Sequence, residues 1–261
     1  MVETIKGELI VSKPTVSIIM ACYNSEKWIR ETIQCVQAQT FEDWELLITD
    51  DCSSDGSVTI IQDEMAKDSR IKLFTFKKNQ GAGKARNNSL SNAAGRFIAY
   101  LDSDDLWVDT KLKHQLDFMK NRGVVMCYTD YDLVNENGEY RKTIQVPSSV
   151  TYDSYLKRPI TCTHSIMFDT ETVDKKLLQM PDIRRGQDGA TWLQVLKTGI
   201  VGYALNESLA KYRRHEGSLS NNKLKAVKRI WYLYREVEHL SLPYACRCFV
   251  SYAINAIKKY T

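Results

Sequence analysis

The sequence predicts an α/β fold that is built on a mostly parallel β-sheet. Mainly apolar runs at residues 16–22, 44–49 and 97–101 have the length of strands and suit burial on both faces of a sheet. Between them, apolar residues recur at helical spacing, which indicates crossover helices. Polar or acidic residues follow each run directly, where the carboxyl ends of parallel strands bind ligands. Together these observations favour a Rossmann-like, nucleotide-binding first half.

The first half of the chain contains four predicted strands, each followed by a helix. The first helix covers residues 26–39 and places Ile29, Ile33 and Val36 on one face. The other predicted elements of this half are a helix ending before Asp68, a strand at 71–76, a helix at 84–94 and a helix at 109–121.

The glycine-containing loop at residues 79–83 matches neither of the common phosphate-binding motifs. Lys84 is followed by Ala85 rather than Ser or Thr, which excludes a P-loop, and Arg86 stands where a dinucleotide fingerprint has its third glycine. Two interpretations of Lys84 and Arg86 stay open. They contact a diphosphate at a helix amino terminus, or they form a solvated basic first turn.

An acidic motif, Asp102-Ser103-Asp104-Asp105, follows the strand at 97–101. Asp102 and Asp104 are close enough to share a divalent cation that carries phosphate oxygens. An isolated Asp-Xaa-Asp is more often a polar loop or a helix cap, so this motif has to be judged together with its neighbours.

From residue 124 onward the predicted strands become short. They lie at 124–128, 131–134, 141–146, 165–168 and 199–205. Asp188 opens an apolar helix, and its carboxylate is either a helix cap or a functional acid. This part of the chain is expected to form an acceptor-side half of mixed structure.

Composition and charge narrow the class of protein. The 261 residues are 43% hydrophobic with a net charge of +4, which allows a large core and suits anionic substrates or an anionic membrane surface. A nucleic-acid-binding protein would have a denser basic stripe. Seven cysteines, mostly within apolar segments, indicate reduced thiols in the cytoplasm rather than a disulfide framework. We expect no signal peptide, because residues 1–13 lack an apolar core of the required length.

Two amphipathic helices are predicted from residue 222 onward. They are rich in aromatic and basic residues, among them Trp231, Tyr234, Tyr244 and Arg247. The uncharged run at 248–257 is about half of the ~20 residues that a membrane-spanning helix needs, so we expect no such helix. This C-terminal segment either lies on an anionic membrane surface or packs on the domain or on a second copy of the chain.

In their order and spacing, these segments resemble the inverting family-2 glycosyltransferases, which have the GT-A fold. The similarity is greatest to bacterial enzymes that build O-antigen, capsule or teichuronic-type polysaccharides. The segments that carry the resemblance are 16–24, 50–57, 85–87, 95–105, 187–188 and 212–218. The resemblance implies a GT-A domain at 1–220, with a nucleotide-sugar-binding half at 15–123 and an acceptor half at 124–220, followed by a helical extension at 221–261.

The resemblance also implies roles for residues in the nucleotide-binding half. Tyr23 would stack on the uracil ring, and Asp51 would accept the hydrogen of the base N3. Arg86 would lie near the diphosphate. Ala21 and Ser103 match further positions of the nucleotide-binding site, although the common Pro-Thr of the family is replaced here by Ala21-Cys22.

The metal site and the catalytic base are likewise implied by the resemblance. Asp104 would bind Mn²⁺ or Mg²⁺ directly, Asp102 would lie near the ribose or reach the ion through water, and His215 would approach the metal or the diphosphate. Asp188 would take the proton from the acceptor hydroxyl. The family commonly has Glu-Asp where this chain has Gln187-Asp188, and a neutral neighbour does not raise the pKa of the base.

The implied reaction moves a hexose or N-acetylhexosamine from a UDP-sugar to a lipid-linked oligosaccharide or a growing surface polysaccharide. The implied location is the cytoplasm, with peripheral contact at the inner face of the cell membrane if the C-terminal helices bind lipid. Alternatively, those helices join copies of the chain in a homo-oligomer. The alternative function is a non-catalytic subunit that binds a nucleotide-sugar within a glycan-assembly complex.

Overall fold

A large mixed β-sheet with helices on its faces forms the centre of the molecule. The computed structural model describes residues 2–5, 8–11, 13–158, 163–183, 186–215 and 223–260. The strands are β1 (Val2–Ile5), β2 (Glu8–Val11), β3 (Val16–Cys22), β4 (Trp44–Asp50), β5 (Ile71–Thr75), β6 (Phe97–Tyr100), β7 (Leu106–Trp107), β8 (Met126–Val134), β9 (Tyr140–Ile144), β10 (Ser149–Val150), β11 (Met167–Asp169) and β12 (Gly202–Arg213).

Eight α-helices lie within the described residues. They are α1 (Ile29–Gln37), α2 (Ser57–Met65), α3 (Ala82–Ser91), α4 (Lys111–Arg122), α5 (Tyr152–Lys157), α6 (Gln187–Leu196), α7 (Lys223–Tyr232) and α8 (Leu242–Tyr260). A π-helical turn at Leu233–Val237 follows α7, and two 3₁₀ turns lie at Thr163–Ser165 and Lys175–Leu178. In the part of the chain that is described, no helix is both long enough and apolar enough to cross a membrane.

The sheet order is β10-β12-β8-β11-β6-β3-β4-β5, with β7 added to β12 and β9 added to β8. Strands β6, β3, β4 and β5 are parallel to their neighbours in this series, and β11 is antiparallel to both β6 and β8. β1 and β2 form a separate antiparallel pair. The predicted α/β class is confirmed: a parallel first half and a mixed second half share one continuous sheet.

The core runs along both faces of the central strands. Every residue of β4 is buried, and so are six of the seven residues of β3. Ile29, Ile33 and Val36 of α1 are fully buried, as their helical spacing predicts. The backbone at Gly95 lies so close to β3 that a side chain would not fit there: a Cβ on Gly95 would lie 2.7 Å from the backbone nitrogen of Ser17.

Two predicted strand boundaries are wrong, each for a physical reason. The separate strands predicted at 124–128 and 131–134 are one strand, β8, because the carboxylate of Asp130 is satisfied inside the sheet by the N–H of Val146 at 2.7 Å. The strand predicted at 199–205 begins at Gly202 and continues to Arg213. The pairing of β12 with β8 shifts in register on both sides of Ser208. These irregularities accommodate polar residues whose composition is typical of a turn.

Candidate active site

The loops after β3 and β4 are locked to each other and to the acidic motif. The N–H of Asn24 donates to Oγ of Ser53 at 2.9 Å, and the N–H of Ser25 donates to Oγ of Ser57 at 2.8 Å. The hydroxyls of Ser25 and Ser103 share a hydrogen bond of 2.7 Å. The carboxyl ends of three parallel strands therefore form one rigid edge, as the fold class predicts.

The acidic motif is a tight turn held by helix α1. The N–H of Asp105 donates to the carbonyl of Asp102 at 3.2 Å. The hydroxyl of Thr32 contacts the carbonyl oxygens of Ser103 and Asp105 at 3.1 and 3.0 Å. This turn leaves the side chains of Asp102 and Asp104 partly exposed, whereas Asp105 is fully buried.

Asp104 and His215 meet at this edge. Oδ2 of Asp104 lies 3.0 Å from Nε2 of His215, and their side chains are 30% and 13% exposed. The imidazole also packs on Trp28, with 4.1 Å between ring centroids. Burial and the nearby charge of Asp102 raise the pKa of Asp104, and the contact with His215 opposes that rise. A cation is the partner that such a crowded carboxylate favours.

Arg86 lies between the acidic motif and the predicted base. Its guanidinium forms an ion pair with Asp102, and its side chain is only 12% exposed. Burial opposes the charge of Arg86, but the carboxylates of Asp102 and Asp188 outweigh that effect and raise its pKa. Arg86 therefore stays cationic in a place where several negative groups converge.

Asp188 is the second residue of α6 and is partly buried. Its Oδ2 accepts a hydrogen bond of 3.2 Å from the hydroxyl of Thr163, which fixes the orientation of the carboxylate. The preceding residue, Gln187, packs against α3: a Cβ on Gly83 would lie 3.1 Å from Cγ of Gln187. Helix α6 thus brings Asp188 to the same region as Arg86, which α3 carries.

The predicted nucleotide-binding residues lie around the ends of β3 and β4. Tyr23 is 51% exposed, so the face of its ring is accessible to a base. Ala21 is the only partly exposed residue of β3. Asp51 is buried, and its two oxygens accept the N–H groups of Gln80 and Gly81 at 2.7 Å each. Ser103 is 8% exposed and braces the loops through Ser25.

Sequence reasoning missed two residues that organise the site, His164 and Arg213. Nδ1 of His164 lies 2.6 Å from Oδ2 of Asp105, and both side chains are sealed from solvent. The buried Arg213 donates its backbone N–H to Oδ1 of Asp105 and its Nε–H to the carbonyl of Asp104, both at 2.9 Å. The only sequence signal was for Arg213, which stands two residues before His215; His164 lies in no periodic pattern.

Among the described residues, two neighbouring groups of side chains could hold a divalent cation. Ligand atoms of Asp102, Asp105 and His164 lie within 4.8 Å of one another, but Asp105 and His164 already pair with each other in a closed space. Asp104 and His215 offer one carboxylate and one imidazole in a partly open place. Carboxylate oxygen and imidazole nitrogen fit Mn²⁺, and carboxylate oxygen fits Mg²⁺, so Asp104 with His215 is the better site.

Comparisons of the sequence with known proteins identify its family. The chain matches the family described as Glycosyl transferase family 2 over residues 17–179. It is 44% identical over 248 residues to TuaG of Bacillus subtilis (strain 168), which bears the name of a teichuronic acid biosynthesis glycosyltransferase; the match covers 95% of this chain and 98% of that protein. It is 39% identical over 221 residues to WfgD of Escherichia coli, named a UDP-Glc:alpha-D-GlcNAc-diphosphoundecaprenol beta-1,3-glucosyltransferase, with 83% of each covered.

Solved structures of lower sequence identity share the fold. S. aureus TarS 1-349 in complex with UDP-GlcNAc has a TM-score of 0.70 at 20% identity, over 90% of this chain and 70% of that chain. The mannosyltransferase PcManGT from Pyrobaculum calidifontis, in complex with GDP-Man and Mn²⁺, has a TM-score of 0.66 at 15% identity, over 92% and 69%. The predicted GT-A fold is confirmed. With a family match over more than half of its length, the chain belongs to glycosyl transferase family 2 and is a glycosyltransferase.

Proposed function

We propose that the enzyme transfers a hexose or N-acetylhexosamine from a UDP-sugar to a lipid-linked oligosaccharide or a growing surface polysaccharide, in a reaction that needs a divalent metal and inverts the anomeric centre. The observation that carries this proposal is the convergence of Asp102, Asp104, Arg86 and Asp188 at one edge of the sheet. The name of WfgD and the complex of TarS with UDP-GlcNAc support a UDP-sugar donor, and the name of WfgD also supports a lipid-diphosphate acceptor.

The donor is bound by the loops after the parallel strands. Tyr23 stacks on uracil with its exposed ring, Asp51 accepts the N3 hydrogen, and Ala21 and Ser103 complete the floor of the site. The ion pair of Arg86 with Asp102 places a guanidinium where a diphosphate can replace the carboxylate as its partner. Residues 15–123 form the donor half of the enzyme in this proposal, and residues 124–220 form the acceptor half.

Asp104 and His215 would hold the cation, with Asp102 beside the ribose or linked to the ion through water. Mn²⁺ in the PcManGT complex supports a divalent ion, and the carboxylate and imidazole donors of this chain fit Mn²⁺ or Mg²⁺. When bound, such an ion supplies positive charge beside the leaving diphosphate. Trp28 holds the ring of His215 in place for this contact.

Asp188 is the general base of the proposed reaction. Thr163 orients its carboxylate, and Gln187 adds no second negative charge next to it. The acceptor hydroxyl gives its proton to Asp188 while its oxygen bonds to the anomeric carbon. The bond from that carbon to the diphosphate oxygen breaks on the opposite face, and its electron pair leaves with UDP.

A donor panel tests the proposed function. The purified protein is incubated with individual UDP-sugars and Mn²⁺, with and without a lipid-linked oligosaccharide, and released UDP is measured. We expect release that depends on one donor, on the acceptor and on the metal, and that stops when EDTA is added. Binding of UDP-sugars without turnover under every acceptor would contradict the proposal and favour the non-catalytic subunit.

A further inference from the structure

We infer that the C-terminal helices α7 and α8 form a docking surface for an anionic lipid bilayer, next to the acceptor side of the site. This inference rests on the proposed transfer to a lipid-linked acceptor.

Helix α8 exposes an apolar stripe. Leu242, Cys246, Val250 and Ile254 recur every fourth residue along α8, and all four are exposed; Leu242, Val250 and Ile254 are 56%, 58% and 50% exposed. Exposed aliphatic side chains in one continuous row are unusual on a face that meets only water. The stripe is therefore a surface with a partner.

The opposite face of α8 is already used for packing within the chain. Ala245 and Cys248 are fully buried, the hydroxyl of Tyr244 donates to Asp153 of α5, and the side-chain amide of Asn255 donates to the carbonyl of Lys157 at 3.3 Å. These contacts fix the helix on the domain. The stripe can contact another surface without any loss of contacts inside the molecule.

Helix α7 extends the apolar surface. Val227 and Tyr232 are 42% and 47% exposed. A groove of about 490 Å³ between α7 and α8 is lined by Val227, Lys228, Trp231, Tyr232, Glu236 and Phe249. An open, aromatic-walled groove lined by one lysine and one glutamate suits the acyl chains of a lipid layer.

The distribution of charge identifies the kind of partner. Residues 221–261 contain eight Lys or Arg and two Asp or Glu, whereas residues 1–220 contain 28 and 30. The positive charge of the whole chain thus comes from this segment. An apolar stripe combined with local basic charge matches the interface of a membrane rich in anionic lipids. A second copy of the chain would bring the same positive charge to the contact and be repelled by it.

The position of α7 connects this surface to the reaction. The aliphatic part of Arg229 lies against Gly186, since a Cβ on that glycine would be 3.2 Å from Cγ and Cδ of the arginine. Gly186 directly precedes Gln187 and Asp188 at the start of α6. A lipid carrier held in the bilayer would therefore present its sugar on the side of the enzyme where Asp188 lies.

Vesicle co-sedimentation of the whole chain tests the inference. We expect the protein to sediment with vesicles of phosphatidylglycerol and phosphatidylcholine, to bind pure phosphatidylcholine weakly, and to be released by salt. The double variant Val250→Asp/Ile254→Asp should lower binding by about tenfold or more. Tyr140→Asp/Tyr203→Asp, which adds two acids at residues 63% and 43% exposed on β9 and β12, is the matched control and should bind like the wild type.

Three results would overturn the inference. The wild type could fail to prefer anionic vesicles, or the double variant could bind as well as the wild type. Light scattering could instead show a wild-type dimer that becomes monomeric in the double variant, which would make the stripe a self-association surface. Transfer to a short-chain, water-soluble acceptor is measured in parallel. If the protein transfers sugar to this acceptor but does not bind vesicles, only the inference of a docking surface is refuted. If the protein binds vesicles but transfers no sugar, the proposed function is refuted.

Discussion

Nδ1 of His164 lies 2.6 Å from Oδ2 of Asp105, and this fully buried pair ties the acidic motif after β6 to the second half of the chain. The imidazole stacks on Tyr212 at 5.6 Å between centroids and meets Tyr131 edge-on at 5.4 Å. Burial raises the pKa of Asp105 above its usual range, although His164 opposes that rise. The turn that carries Asp102 and Asp104 is therefore held in place by a residue from the second half of the chain.

We expect His164→Ala to lower the free energy of unfolding by about 3 kcal/mol, because it leaves the carboxylate of Asp105 buried without its imidazole. Urea denaturation measures the change. His114→Ala is the control, since its pair with Glu207 is 41% and 46% exposed and its loss should cost less than about 1 kcal/mol. Equal effects of the two substitutions would contradict the structural role of the pair.

Arg213 is expected to act on the metal site through the backbone. Its guanidinium binds the carbonyls of Asp104 and Glu136 at 2.9 and 2.8 Å and the carboxylate of Glu31 at 2.6 Å. A lysine has no planar fork and cannot make these contacts together. Arg213→Lys should raise the Mn²⁺ concentration for half-maximal UDP release by about tenfold. Arg141→Lys, at an exposed residue of β9, should leave this Mn²⁺ concentration unchanged. If both variants needed the same Mn²⁺ concentration, Arg213 would not act on the metal site.

Lys111 gives the protein a distinctive pH dependence of stability. It is fully buried in α4, its ammonium lies 4.0 Å from the ring centroid of Trp107, and burial lowers its pKa from 10.5 to about 7. Between these values the unfolded chain binds the proton that the folded chain has released, so stability rises with pH. From pH 7 to 9 the wild type should gain about 2 kcal/mol relative to Lys111→Met.

Urea denaturation across that pH range checks the prediction for Lys111. The exposed Lys113 lies on the same helix, so Lys113→Met should follow the wild-type curve. If the free energies of unfolding of the wild type and Lys111→Met changed equally from pH 7 to 9, the buried lysine would not be the cause of the pH dependence.

Asp104 should determine the metal requirement. Asp104→Asn removes the negative charge that faces His215, and we expect Mn²⁺ affinity to fall by about tenfold to 100-fold. Isothermal titration with Mn²⁺ and UDP measures this directly. Asp109→Asn changes an exposed acid five residues on and should bind Mn²⁺ like the wild type. Unchanged affinity in Asp104→Asn would show that the ion binds elsewhere.

The sequence predicts the position of the acidic motif because the end of the strand before it can be recognised from the residue pattern. Asp102 and Asp104 follow an apolar run, and the carboxyl edge of a parallel sheet is where such acids are used. The approach of Asp188 to this edge could not be worked out from spacing, since it depends on how α6 packs against α3. That placement was expected only from the resemblance to the family.

The features that the sequence did not predict depend on contacts between residues that are far apart in the chain. Asp130 looks like a turn residue until the N–H of Val146 is known to satisfy it within the sheet. Asp105 braces its loop through His164 and Arg213, which lie 59 and 108 residues further along the chain. No local pattern reveals such partners.

Asp188 is the base of the proposed transfer reaction at this edge of the sheet. The most direct test of this role is acceptor-dependent UDP release by Asp188→Asn, with UDP and Mn²⁺ binding measured on the same protein. We predict a fall of about 1,000-fold in turnover with unchanged binding. Asp182→Asn, an exposed acid that pairs with Lys84, should keep wild-type turnover. Turnover in Asp188→Asn close to that of the wild type would show that Asp188 is not the base.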